Sequence, residues 1–187
     1  MDIDRIIDQI YPLPEESKGK LKSNIEEVYL KKGHLLMKAN KIETDIYFIK
    51  KGIVRAYADS EDKEITFWFG KEGDTVISMG SYIENEKGYE NIELLEECEL
   101  YKLKTKNLKQ LFAEDIHIAN WGRKFAEKEL IKPEKLFIYR QFRTASERYG
   151  ELLKKHPDLL LRVQLGHIAS FLGITQVSLS RISAEIK

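Results

Sequence analysis

At 187 residues the chain is long enough for one full-sized core and a smaller second domain. Its 42% apolar and 33% charged residues are ordinary globular composition, and no run approaches the ~20 apolar residues that a membrane helix needs. A single cysteine, Cys98, excludes an internal disulfide and any multi-cysteine zinc or iron–sulfur centre.

Thirty-one basic and 31 acidic residues cancel, but they are not evenly spread. Residues 1–100 hold 14 Lys/Arg against 22 Asp/Glu, residues 101–143 hold 11 against 5, and residues 144–187 hold 6 against 4. An acidic first half and a basic second half suit a polyanionic partner met from the C-terminal side. The opening Met1-Asp2-Ile3-Asp4-Arg5 lacks the basic and apolar regions of a secretory signal, so a cytoplasmic protein is expected.

In chain order, Ile3, Ile6, Ile7 and Ile10 fall at helical spacing and predict a short amphipathic helix closed by Pro12 and Pro14. From Ile25 to about Lys104 short β-branched and aromatic runs alternate with glycines. They predict strands at Ile25 to Leu30, Leu35 to Met37, Ile46 to Ile49, Ile53 to Ala58, Glu64 to Phe69, Thr75 to Ile77, Asn91 to Leu95 and Glu99 to Leu103. Eight short strands imply a barrel, roll or sandwich.

Helical spacing returns at Thr105, and the set from Leu108 through Ile131 predicts one long helix. Ile118, Trp121 and Phe125 form a stripe suited to a second copy of the chain, so charged replacements of Trp121 and Phe125 are expected to give monomers. Pro133 should kink or restart this helix. Another helix is expected from Ala145 to Lys155, closed by His156-Pro157.

The most specific signal runs from Gln164 to Ile182. Ile168 and Leu172 form one face of a first helix, Ala169 is small enough for a close crossing, and Gly173 suits a tight turn. Thr175 is placed as the N-cap of a second helix whose inner face is Ile174, Leu179 and Ile182. Gln176, Val177, Ser180 and Arg181 remain outside, and an amide, a guanidinium and an apolar group are what a helix in the major groove uses. The pattern is that of a helix-turn-helix, with Thr175, Gln176, Val177, Ser180 and Arg181 as the DNA-facing set.

These residues resemble the Crp/Fnr family of bacterial regulators, in particular short members that end with the recognition helix. In the β region the resemblance rests on Tyr47-Phe48-Ile49-Lys50-Lys51-Gly52-Ile53-Val54-Arg55-Ala56-Tyr57, Glu64-Ile65-Thr66-Phe67-Trp68-Phe69 and Glu72-Gly73-Asp74. In the helical half it rests on Thr144-Ala145-Ser146-Glu147-Arg148-Tyr149-Gly150-Glu151-Leu152-Leu153, His156-Pro157-Asp158 and the stretch Ile168 to Ile182. It implies an α+β chain: an N-terminal β-roll of the cyclic-nucleotide-binding type (double-stranded β-helix, jelly-roll-like), a long dimerisation helix, and a small all-α helix-turn-helix domain. The expected boundaries are 1–112, 113–143 and 144–187. Implied partners are double-stranded DNA, a second copy of the chain, RNA polymerase and a small-molecule effector of unknown identity, with no membrane and no cofactor.

Two departures from the family pattern bear on function. Relatives that bind cyclic AMP carry a Gly-Glu step and then an Arg-(Ser/Thr)-Ala element whose Arg holds the cyclic phosphate. The matching stretch here, Ser78 to Asn91, has no arginine, and Lys87 stands among Glu84, Glu86 and Glu90. Cyclic-nucleotide binding is therefore not expected, and Met79, Gly80, Ser81, Tyr82, Lys87 and Tyr89 stand as a pocket for some other ligand. Phe67 and Phe69 are further lining candidates. At the C-terminus Ser183 stands where many relatives keep a basic residue, which should weaken DNA affinity without altering what is read.

An enzyme is not expected, and no catalytic or metal-binding residue is assigned. His34, His117, His156 and His167 are isolated, and no phosphate loop or nucleophile elbow occurs. The competing reading is a ligand-sensing or protein-interaction module whose helix-turn-helix does not engage DNA.

Overall fold

The computed structural model describes residues 1–61 and 63–185. Two helices, α1 (Ile3–Ile10) and α2 (Glu15–Lys22), precede eight strands: β1 (Ile25–Leu30), β2 (Leu35–Met37), β3 (Asp45–Lys51), β4 (Val54–Ser60), β5 (Lys63–Gly70), β6 (Thr75–Val76), β7 (Asn91–Leu94) and β8 (Cys98–Lys104). A short helix, α3 (Met79–Glu84), interrupts the series after β6. Then follow α4 (Thr105–Glu114), α5 (Ile116–Phe142), α6 (Ala145–Lys155), α7 (Pro157–Arg162), α8 (Leu165–Leu172) and α9 (Gln176–Glu185). The chain is α+β, as expected, with two four-stranded sheets ordered β1-β8-β3-β6 and β2-β7-β4-β5. All eight predicted strands are present in order, with ends displaced by at most a few residues.

The chain divides into two compact units. The first holds Met1–Ala56 and Phe69–Leu130; the second holds Tyr57–Trp68, the far end of the β4–β5 hairpin, together with the chain from Ile131 on.

In the first unit the antiparallel register sets Ile46 opposite Leu103 and Phe48 opposite Tyr101. Residues paired across an antiparallel ladder share a face, so these four form one apolar surface. Ile3, Ile6 and Ile7 of α1, Leu21 of α2, Leu108 and Leu111 of α4, and Ile118, Trp121 and Phe125 of α5 complete that core. The helical spacing of the N-terminal isoleucines thus reflects a face buried on the roll.

The structure corrects the reading of Ile118, Trp121 and Phe125 as a dimer face. All three side chains are buried, at 0%, 0% and 3% exposure. The Trp121 ring packs edge-on to Phe48 and stacks on Phe125, and its Nε1–H donates to the Ile7 carbonyl. A side chain sealed in its own core has no surface to offer a second copy. Apart from Ile116 at its first position, the exposed large apolar side chains of α5 lie further along, at Leu130, Ile131, Phe137, Ile138 and Phe142.

Two helix ends also differ from expectation. The helix predicted from Thr105 stops at Glu114, because Asp115 leaves helical geometry and its carboxylate accepts from the backbone N–H groups of His117 and Ile118. That is an N-cap, and it starts α5 afresh. Pro133 does not end α5, which runs unbroken to Phe142. Proline still removes the hydrogen bond to the residue four before it, Glu129.

Candidate nucleic-acid interface

Helices α8 and α9 are joined by a turn whose chemistry is local. Gly173 adopts φ +69, its N–H donates to the Ser170 carbonyl at 3.0 Å, and the Ile174 N–H donates to the Ala169 carbonyl at 3.0 Å. This paired arrangement is a Schellman closure, which needs a left-handed residue that glycine supplies without strain. Two residues on, Thr175 caps α9: its Oγ1 accepts from the Ser178 N–H at 3.1 Å. Ile168, Ala169, Leu172 and Leu179 are buried between the helices, and Ile174 and Ile182 are half-buried beside them.

The structure brings the five sequence-predicted DNA-facing residues together on the first two turns of α9 and the cap before them. Thr175, Gln176, Val177, Ser180 and Arg181 are all exposed, Val177 to 63%. Ser180 spends its hydroxyl proton on the Gln176 carbonyl, at 3.0 Å, leaving its oxygen lone pairs outward. Arg181 is the only cation among the described residues of α9, and it has no ion pair or hydrogen bond among them.

Other residues hold these two helices, in roles that sequence reasoning did not assign to them. Tyr149 of α6, buried, donates its hydroxyl to Ser183 Oγ at 3.0 Å, so Ser183 anchors α9. Arg148 donates Nη2 to the carbonyl of Leu172, the last residue of α8, at 2.7 Å, and Nη1 to the Arg143 carbonyl at 2.6 Å. Tyr139 donates to the Arg148 carbonyl at 2.6 Å; burial pushes its hydroxyl pKa up to about 12, so it remains a donor throughout the neutral range. Thr144 and Glu147 form a reciprocal capping box at the start of α6.

Within the same unit, Ser170 of α8 bridges the edge of β5. Its Oγ accepts from the Thr66 N–H at 2.9 Å and donates to the Glu64 carbonyl at 2.9 Å. Arg140 Nη2 adds donations to the carbonyls of Thr66 and Phe171, each at 3.3 Å, and burial lowers its pKa.

The predicted ligand residues lie in the first unit, on α3 and the loop after it. Ser81 is buried and fully engaged: it accepts from the Glu43 N–H at 3.1 Å and donates to the Glu86 carbonyl at 2.8 Å. Tyr82 packs on the helix-covered core, with the Lys109 ammonium 5.4 Å from its ring centroid. Gly80 is half-buried, while Met79, Lys87 and Tyr89 are exposed. Among the described residues no cluster of His, Cys, Asp and Glu could hold a metal ion, and no helix is long and apolar enough to cross a membrane.

Residues 27–115 match the family model of the cyclic nucleotide-binding domain. No curated protein sequence matches the chain. Among solved structures it is similar to the c-di-GMP responsive global regulator CLP of Xanthomonas campestris, at 17% identity and a TM-score of 0.71 over 92% of this chain and 91% of that one. It is also similar to FixK2 of Bradyrhizobium japonicum, at 19% identity and a TM-score of 0.74 over 87% and 84%. A variant of CooA from Carboxydothermus hydrogenoformans gives 22% identity and a TM-score of 0.67 over 89% and 78%. At these identities the likeness establishes the fold. Residues 27–115 are thus similar to the cyclic nucleotide-binding domain, and over most of its length the chain shares the fold of these three solved structures.

Proposed function

We propose that the chain is a homodimeric, cytoplasmic DNA-binding transcription regulator of the Crp/Fnr type that does not answer to cyclic AMP. The observation that carries this reading is α9. It is capped by Thr175, turned on Gly173, and presents Gln176, Val177, Ser180 and Arg181 as one uncommitted face. The N-terminal turns of such a helix enter the major groove, where an amide reads adenine and a guanidinium reads guanine or grips phosphate. Dimerisation is supported by the exposed apolar side chains of the second half of α5, from Leu130 to Phe142. A two-fold dimer would meet two half-sites about one helical turn apart.

The test is titration of the upstream region of the protein's own gene against random duplex at two salt concentrations. Arg181→Ala is expected to cost about 1–3 kcal/mol of specific binding with the fold intact. Gln176→Ala should relax preference at one base position with a smaller loss. If neither change alters a discrimination that the unmodified protein plainly shows, α9 is not the reading helix. If the unmodified protein binds no duplex at low salt, the interaction-module reading replaces this one.

The ligand-free fold should gain nothing from cyclic AMP or cyclic GMP, since a ligand that binds only the native state must raise its stability. Two features support this: residues 78–91 have no arginine, and a buried carboxylate, Glu90, stands among them. A melting temperature that climbs with millimolar cyclic nucleotide would overturn the expectation.

A further inference from the structure

At one end of the sheet ordered β1-β8-β3-β6, four charged residues share a face. The register sets Glu26 of β1 opposite Lys102 of β8, and Lys104 of β8 opposite Asp45 of β3. Lys102 and Lys104 are two residues apart on one strand, and residues paired across a ladder lie on the same side of it, so all four fall together. Two opposite-charge pairs directly across the ladder would satisfy every one of them. The structure makes a single pair, and it is the diagonal one: Lys102 Nζ lies 3.1 Å from Asp45 Oδ2. The Glu26 carboxylate and the Lys104 ammonium, both exposed, are left without a hydrogen bond or ion pair among the described residues.

Both residues line one cleft of about 230 Å³. Its wall is held by local chemistry. Ser23 Oγ and Asn24 Nδ2 donate to the Lys20 carbonyl, at 2.8 and 3.0 Å, which fixes the turn between α2 and β1. Asn107, in the first turn of α4, also lines the cleft, and its carboxamide has no hydrogen bond among the described residues. Ile25 supplies the apolar contact. The volume falls below the roughly 300–1,000 Å³ of sites for drug-sized ligands, and the wall is mostly polar, so the occupant it fits is small and polar. A free carboxylate and a free ammonium that border the same cleft without meeting leave room for a molecule that carries both complementary charges.

We propose that this cleft binds a small zwitterionic amino acid, its ammonium on the Glu26 carboxylate and its carboxylate on the Lys104 ammonium and the Asn107 carboxamide. One molecule then supplies both missing counter-charges, and each end is held by charge-assisted hydrogen bonds. A ligand with one sign of charge is attracted at one end of the cleft and repelled at the other. A divalent metal ion would need more oxygen ligands than Glu26 provides and would meet two lysines. The inference goes beyond the proposed function and does not depend on DNA binding.

The experiment is thermal melting of the full chain with millimolar glycine, β-alanine or 4-aminobutyrate, which hold the two charges at increasing separation. The controls are butylammonium chloride and sodium butyrate, which carry one charge each. At least one of the amino acids should raise the melting temperature saturably, by about 2–4 °C, and neither control should. Glu26→Gln and Lys104→Met, at exposed side chains, should melt within about 1 °C of the unmodified protein without ligand, and each should lose the response. Asn107→Ala should weaken the apparent affinity several-fold. The proposal is overturned if no amino acid gives a saturable shift, if either singly charged control acts equally, or if Glu26→Gln or Lys104→Met still responds. A linear rise without saturation counts against it as well, since general exclusion of a solute from the protein surface produces that. Duplex binding is read separately, so failure of the DNA-binding reading leaves this result standing, and the reverse holds too.

Discussion

Trp121→Ala should lower the stability of the first unit by about 3–5 kcal/mol, the range for deleting a fully buried large aromatic, and its melting temperature by about 10–20 °C. The indole is 0% exposed, with its ring centroid 6.4 Å from that of Phe48 and 5.9 Å from that of Phe125. Most of the loss is the cavity. The Ile7 carbonyl that accepts from Nε1 also accepts from the Tyr11 N–H at 3.1 Å, so it is not orphaned. The sharper form of the prediction concerns charge. If Trp121 faced a second copy, a charged replacement would leave a folded monomer; buried as it is, Trp121→Lys should lose near-ultraviolet circular dichroism and expose the roll to protease. A folded, monomeric Trp121→Lys protein would restore the interface reading.

Arg148→Ala should cost about 2–4 kcal/mol, confined to the second unit, and should abolish DNA binding before it disturbs the roll. One guanidinium accepts responsibility for two chain ends: it donates to Leu172 at the end of α8 and to Arg143 just past the end of α5, with a longer contact to Arg140 at 3.5 Å. Helix C-termini present unpaired carbonyls and partial negative charge, so a cation there acts both as donor and as counter-charge. Calorimetry should resolve the unmodified single transition into two, the lower one belonging to the helical unit. Arg148→Lys should recover only part of the loss, because an ammonium lacks the planar fork that serves both ends. A uniform shift of less than about 0.5 kcal/mol would mean that water replaces these bonds at little cost.

Local chemistry was legible in the sequence. The eight strands follow from alternation bounded by glycines, and the helix-turn-helix follows from Gly173 and Thr175, whose roles depend on neighbours within four residues. What was not legible depends on partners far along the chain or on competing local signals. Trp121 and Phe125 make an apolar stripe equally suited to a partner or to the roll, and only the placement of α1 decides between them. Pro157, read as closing a helix, stands at the first position of α7, where proline is tolerated because its missing N–H has no intrahelical acceptor. Asp115 carried a readable N-cap signal that the continuous apolar periodicity around it masked. Residues 79–84 form a helix too short for periodicity to register. Arg148, Ser170 and Glu90 gain their meaning from contacts or burial that no spacing encodes.

The bridge from Ser170 to β5 also bears on how the protein is made. β5 is the outermost strand of its sheet, and the serine that occupies the backbone groups of Glu64 and Thr66 lies 104 residues after Thr66. During synthesis the roll emerges first, and this strand edge has no serine until α8 follows. An unpaired strand edge templates pairing with other chains. Chains cut short before Ser170, by premature termination or proteolysis, therefore leave these two backbone groups of β5 open to pairing, and in the full chain one serine hydroxyl closes that stretch of the edge.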